Sequence, residues 1–123
     1  MKSPDIQINK EVGILSSNRG EIAFDIDDDS ISVLGISVFK RRCGIGSGLV
    51  KELEKFAIKQ GIKAIVVPAT PTKTALSFWL KAGYNYVFPE DAAIGNGILK
   101  EEEQGKIRDT DSGVIVLEKV LKN

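Results

Sequence analysis

Histidine is absent from the 123 residues, and cysteine occurs once, as Cys43. The first absence removes Ser-His-Asp and Cys-His nucleophile pairs, the commonest general base and the commonest zinc ligand. The second excludes an internal disulfide and a CxxC metal site. An excess of charge of either sign is also missing: Lys+Arg and Asp+Glu each number 17, so no overall field holds a nucleic-acid backbone or an anionic membrane. Any binding charge must be local. The longest apolar runs, such as Ala64 to Val67 and Val114 to Leu117, fall far short of the roughly 18 residues that span a bilayer. Met1-Lys2-Ser3-Pro4 is followed by polar residues without an apolar core, so the expectation is a soluble protein in a reducing cytoplasm.

What is present suits one domain: the chain fits the usual span of about 100–200 residues per domain, and its 42% hydrophobic content is near the globular norm. The first third reads as short strands. Asp5 to Ile8 alternates briefly, Val12 to Leu15 is apolar, and the turn formers Ser16 to Gly20 precede the alternation Ile22, Phe24, Ile26, which suggests a hairpin. After the acidic turn Asp25 to Asp29, Ile31 and Val33 keep one phase while Leu34, Ile36 and Val38 keep the other. A slip of one residue beside Gly35 points to a β-bulge, the alternatives being two short strands or one strand buried on both faces.

From Gly46 the period becomes helical, with Leu49, Val50, Leu53, Phe56 and Ala57 on one face and Gly61 as the stop. Ile62 to Val67, ending at Pro68, fits a buried strand. Thr70-Pro71 reads as an N-cap followed by proline at N1, opening a helix through Ala75, Phe78, Trp79 and Ala82 that stops at Gly83. Strand, helix, strand, helix is the pattern of a parallel βαβ unit. Tyr84 to Phe88 and Gly113 to Val120 read as two more strands. The polar stretch between them, Pro89 to Ser112, is long enough to be functional, partly helical or mobile; Ala92 to Glu103 can supply a turn of helix, against which Gly95 and Gly97 weigh.

Three glycines and three cations meet in Phe39-Lys40-Arg41-Arg42-Cys43-Gly44-Ile45-Gly46-Ser47-Gly48, between a strand and a helix. Exposed first-turn N–H groups, the positive end of the helix dipole and glycines that admit a ligand to the backbone together suit a phosphate. A dinucleotide fingerprint needs glycine where Leu49 stands, and a P-loop needs Gly-Lys followed by Ser or Thr. Neither is met. A solvated glycine-rich turn is the plain alternative.

Arg41-x-x-Gly44-x-Gly46 after a strand ending near Val38 resembles motif A of the GNAT superfamily of acyl-CoA-dependent N-acetyltransferases, and Ala75-Leu-Ser-Phe-Trp-Leu-Lys-Ala-Gly83-Tyr84 resembles its motif B. The resemblance covers about residues 30 to 88 and extends to the last strand. It implies an α/β (α+β) fold with a mixed, strongly twisted central sheet, a βαβ core and a bulged strand at the coenzyme A site, with a shortened N-terminal region. It also implies acetyl-CoA as acyl donor, no metal, and direct attack by an amine in a ternary complex. Arg41, Arg42, Cys43, Gly44, Ile45, Gly46 and Ser47 would wrap the pyrophosphate. Ile36 and Val38 would offer backbone groups to the pantetheine arm, Phe78 would join the coenzyme-binding set, and strand N–H groups would stabilise the oxyanion.

Two departures qualify this. Trp79 stands where the family often has a tyrosine that protonates the departing thiolate, and Thr72 where asparagine is common. Indole N–H is a donor but not a usable acid. With a thiol pKa of about 8.5 the thiolate still leaves, and water, Tyr84 or Tyr86 can take the role. For Tyr84 a core aromatic after a helix stop is the competing assignment. The second departure is the lack of an amphipathic helix before Ser30, which leaves the acceptor pocket open, as suits a peptide or protein amine, or completed by a partner chain in a homodimer, or covered by the 89–112 segment. The expected partner is thus an amine-bearing substrate, small molecule or protein, with no nucleic acid and no membrane.

Asp25, Asp27, Asp28 and Asp29 fail as an EF-hand, since Ser30 and Ile36 stand where Gly and Glu are needed. Asp29 lies nearest to where the family's base is found and can attract a cationic amine or relay its proton; a solvated turn is the alternative. Cys43 as an acyl-accepting nucleophile lacks a histidine partner. Beside the enzyme stand two other classes: a coenzyme A-binding regulatory module with little turnover, and a structural α/β interaction domain.

Overall fold

The computed structural model describes residues 7–9, 13–17, 20–38, 44–100 and 113–121. The fold is mixed α+β, and the described residues form seven strands and three helices: β1 (Gln7–Asn9), β2 (Ile14–Ser17), β3 (Gly20–Asp27), β4 (Ser30–Val38), α1 (Ile45–Lys59), β5 (Ala64–Ala69), α2 (Lys73–Lys81), β6 (Asn85–Tyr86), α3 (Pro89–Lys100) and β7 (Ile115–Val120). The strand–helix–strand–helix order expected after Ser30 is present. The chain divides into two compact units, Met1–Ile65 with Val120–Asn123, and Val66–Lys119. No helix among the described residues is long and apolar enough to cross a membrane.

In the first unit β1, β2, β3 and β4 form an antiparallel meander. Alternation sends Leu15, Ile22, Phe24, Ile31 and Val33 into the core, where they meet Leu49, Val50, Leu53 and Ala57 of α1. Fully burying each large apolar side chain contributes about 1.5–3 kcal/mol. Phe56 tilts its ring onto Phe24 at 5.8 Å. The expected bulge is there: Phe24 pairs with Val33 and Ala23 with Gly35, so Leu34 is the extra residue. Because that residue has no cross-strand partner, its side chain turns outward and is 67% exposed. Past α1, the Lys63 N–H donates to the Asp29 carbonyl at 2.7 Å, and the Leu121 N–H donates to the Lys63 carbonyl at 2.7 Å, tying this segment to the β3–β4 turn and to the end of β7.

In the second unit β7 lies between β5 and β6. The β6–β7 pairing is antiparallel, with Asn85 opposite Glu118 and Tyr86 opposite Leu117. Its core is Val67, Ala69, Leu76, Trp79, Tyr84, Ile98, Ile115 and Leu117. Asp91 at the start of α3 accepts the Val116 N–H at 2.9 Å, and the end of the Tyr86 side chain lies against Gly95. A Cβ at Gly95 would stand 2.6 Å from Tyr86 Cε1, so only glycine lets α3 approach β6 there.

Several expectations need correction. The fifth strand starts at Ala64 and runs through Pro68 to Ala69, alternating between buried and half-buried or exposed residues rather than being buried throughout. Pro68 is tolerated because it occupies an exposed position. The cap of α2 is Thr72, not Thr70: its hydroxyl accepts the Ala75 N–H at 3.2 Å, and Pro71 is buried ahead of the cap. The strand after α2 is two residues long, because α3 already begins at Pro89. That proline can start a helix, where its missing N–H has no partner to lose, and Glu90 and Asp91 in the first turn favour the helix dipole. Those gains outweigh Gly95 and Gly97, and the helix runs for 12 residues.

Candidate functional site

The glycine-rich junction lies in the first unit, where α1 begins at Ile45. Gly44 is its N-cap, with φ 91°, a left-handed conformation that costs an L-residue about 1–2 kcal/mol, and it supplies no side-chain cap. The first bond along the helix is the Gly48 N–H to the Gly44 carbonyl, at 2.9 Å. The N–H groups of Ile45, Gly46 and Ser47 therefore precede any backbone bond within the helix, and they stand at the end that carries about half a positive charge. A Cβ at Gly44 or Gly48 would meet nothing within 4 Å, so the surface here is open. No acidic residue stands in the first turn to compete for these donors. An anionic ligand with several oxygens matches this end of the helix.

Ile36 and Val38 are half-buried on β4 beyond the bulge, opposite Ile22 and Gly20. They share the first unit with Gly44, Ile45, Gly46 and Ser47. Arg41, Arg42 and Cys43, the rest of the expected phosphate loop, lie outside the described residues. Asp29 stands at the far end of β4, nine residues from Val38 or roughly 30 Å along an extended strand. It is exposed and pairs with Lys63 at 3.8 Å. Among the described residues, no three His, Cys, Asp or Glu side chains are grouped to hold a metal.

The residues of motif B lie in the second unit. Phe78 is half-buried and meets Trp79 edge to face at 5.0 Å. Trp79 is 5% exposed and packs edge to face on Tyr84 at 5.1 Å. Tyr84 itself is 1% exposed, with the Lys119 ammonium 5.8 Å from its ring centroid. That is the setting of a core aromatic. The neighbouring Tyr86 has a buried hydroxyl without a hydrogen-bond partner, and burial raises its pKa above the usual 10.0. Sequence reasoning did not foresee this orphaned hydroxyl or its glycine neighbour, because Gly95 read only as a weak point in a helix.

A family model described as the acetyltransferase (GNAT) family matches residues 18–84, more than half of the chain. The chain belongs to the GNAT acetyltransferase family. Solved structures share the fold, each at low sequence identity. The anti-CRISPR protein AcrVA5 is 19% identical with a TM-score of 0.59, covering 86% of this chain and 95% of its own. The ribosomal-protein-S18-alanine N-acetyltransferase of Escherichia coli is 15% identical at a TM-score of 0.60, covering 99% and 73%. A Bacillus subtilis acetyltransferase solved in complex with CoA is 16% identical at 0.60, covering 89% and 75%. A search of curated proteins found no match. The matched span contains both the bulged strand β4 and the open N-terminus of α1, so the GNAT assignment and the physical reading of the junction fall on the same residues.

Proposed function

We propose that the chain is an N-acetyltransferase that takes acetyl-CoA as donor and an amine, on a peptide, protein or small molecule, as acceptor. The observation that carries this reading is the uncapped, glycine-lined N-terminus of α1 following a bulged strand, in a chain of the GNAT family. Backbone donors there suit the pyrophosphate of coenzyme A, and the exposed residues Gly44, Ser47 and Gly48 leave room for it. The amine nitrogen attacks the thioester carbonyl carbon; a C–N bond forms, the C–S bond breaks, the ammonium loses a proton and the thiolate gains one. N–H groups aimed at the developing oxyanion accelerate such a step.

Asp29, which is exposed, and Tyr84, whose hydroxyl would have to be reached inside the core that encloses it, are the proposed proton carriers. Tyr84→Phe tests one of them: a drop in kcat at unchanged KM supports the role. A loss of thermal stability with kcat preserved makes it a core residue and leaves the thiolate to water.

Calorimetric titration with acetyl-CoA, against ADP as a control for generic phosphate binding, tests the whole reading. Saturable binding tighter than ADP, lost when Gly44 and Gly46 are both replaced by alanine, is expected. Unchanged affinity in that variant sinks the loop assignment. The burial of both Trp79 and Tyr84 favours a second reading, a coenzyme A-binding module with little turnover. Binding without acetylated product across peptides and polyamines selects that alternative.

A further inference from the structure

We propose that the sheet face of the first unit turned away from α1 docks an extended, basic peptide segment. α1 is the one helix of that unit among the described residues, and it packs on the side that carries Ile22, Phe24, Ile31 and Val33. Alternation sends Glu21, Ala23, Asp25 and Asp27 of β3 to the opposite side. The strands β1 to β4 contain these three carboxylates and no Lys or Arg, in a chain whose total charge is zero. Among the described residues none of the three has an ion-pair partner, and the nearby Lys63 is taken by Asp29 at 3.8 Å. The face is thus a local anionic surface, which repels nucleic acid, anionic membranes and the same face of a second copy.

Register gives this surface a repeat. Glu21 lies opposite Ser37, Asp25 opposite Ser32 and Asp27 opposite Ser30, so each carboxylate has a serine of β4 across from it. The Ser30 hydroxyl donates to the Asp27 carbonyl at 3.2 Å and keeps its lone pairs as acceptors. Between Glu21 and Asp25 the small Ala23 lies opposite Gly35, where an added Cβ would meet nothing within 4 Å. Leu34, the extra residue of the bulge, stands beside this low point and is 67% exposed. Carboxylates two and four residues apart on a strand are separated by roughly 7 and 13 Å, too far to share one metal ion, whose oxygen ligands lie at about 2.3–2.6 Å. Several cations carried on one backbone match them instead. An extended peptide has the same two-residue period as β3, so Lys or Arg at its alternate positions meets the acids and the serine oxygens. An aliphatic residue between them fits over Ala23 and Gly35 against Leu34.

That the docked segment is also the acyl acceptor rests on the proposed acetyltransferase activity; the docking itself does not. The full chain, without acetyl-CoA, is titrated by fluorescence anisotropy against a labelled peptide whose lysines are spaced four and two residues apart, as the acids are, with a leucine at the position facing Ala23. An isomer with contiguous lysines and a counterpart with glutamate in place of lysine are the controls. Saturable binding of the spaced peptide is expected, tighter than that of either control and weakening as salt rises. Asp25→Asn with Asp27→Asn should weaken it by several-fold to about tenfold and flatten the salt dependence, since each exposed ion pair is modest. Leu34→Ser should weaken it about twofold or more. All three positions are exposed, so these variants keep the core intact. Equal affinity of wild type and the double variant, equal binding of the two lysine isomers, or no saturable binding at millimolar peptide overturns the docking face. With acetyl-CoA present, a KM for the spaced peptide that rises in the double variant at unchanged kcat supports the acceptor role. Failure of the acetyltransferase reading leaves a different mark: peptide binding still responds to the two Asp substitutions while no acetylated peptide forms, which supports the docking face and removes only the acceptor step.

Discussion

At the start of α2, Thr72 in extended conformation folds its hydroxyl back onto the Ala75 N–H at 3.2 Å; at the start of α1, Gly44 in left-handed conformation offers no side chain at all. The two helices are of similar amphipathic character and both lack an acidic first turn, yet one meets its own terminal requirement and the other leaves its first N–H groups uncapped, where the proposed acetyl-CoA site lies. A capped terminus gains about 1 kcal/mol of stability, and an uncapped one gives that up to keep donors available. Structural and binding termini can thus be told apart by where their orphan N–H groups go. Stability and affinity should then respond to substitution in opposite ways at the two sites.

The largest expected effect is at the open terminus. Replacing Gly44 and Gly46 by alanine forces an L-residue into φ 91° and narrows the approach to the backbone, and it should weaken acetyl-CoA by about tenfold or more in calorimetry while lowering stability by about 1–2 kcal/mol. Stability loss with full affinity would break the contrast. Next is the capped terminus, where Thr72→Ala should cost about 1 kcal/mol in denaturant unfolding, with Thr72→Ser retaining most of it. No loss would mean that the 3.2 Å bond does not hold the helix start.

Tyr86 extends the same question to a hydroxyl left without a partner. Tyr86→Phe should raise stability by up to about 1 kcal/mol at neutral pH, because it removes a buried polar group that has none of its hydrogen bonds. The folded pKa is raised, so the contribution of protonated Tyr86 is complete below the unfolded value of 10.0 and is lost as pH rises through the folded pKa. The unfolded chain releases its proton first. Wild type should therefore lose stability faster than Tyr86→Phe above pH 10.0, and parallel unfolding curves would show that the hydroxyl has a partner in solution. The smallest change is the sharpest: Ser47→Glu, in the first turn of α1, should stabilise the helix by about 0.3–1 kcal/mol yet weaken acetyl-CoA, since the new carboxylate takes the place of the anion. Stability and affinity moving together would remove the basis for calling this terminus a binding site.

Much of this is legible in the sequence. The bulge could be read because a phase slip at Val33-Leu34 has few explanations in a continuous strand, and the glycine-rich junction because three glycines and three cations at a helix start are chemically unusual. The ends of α1 and α2 were also legible, since Gly61 and Gly83 follow each helix with φ of 75° and 96°. The cap of α2, Thr72, is not legible, because Thr70 and Thr72 both flank Pro71 and propensity alone does not choose between two threonines. The full length of α3 is not legible either, because Gly95, which weakens the helix in isolation, is the residue that lets it lie against Tyr86.

Local chemistry, then, determined the element order, the bulge, the helix stops and the family motifs, since each depends on residues adjacent in the chain or one turn apart. Tertiary packing decided which face of α2 is buried and which lines a cavity, and that Tyr84 is enclosed by Trp79 while Tyr86 loses its hydrogen bonds. Those outcomes rest on contacts between segments that side-chain volume, and not sequence spacing, brings together.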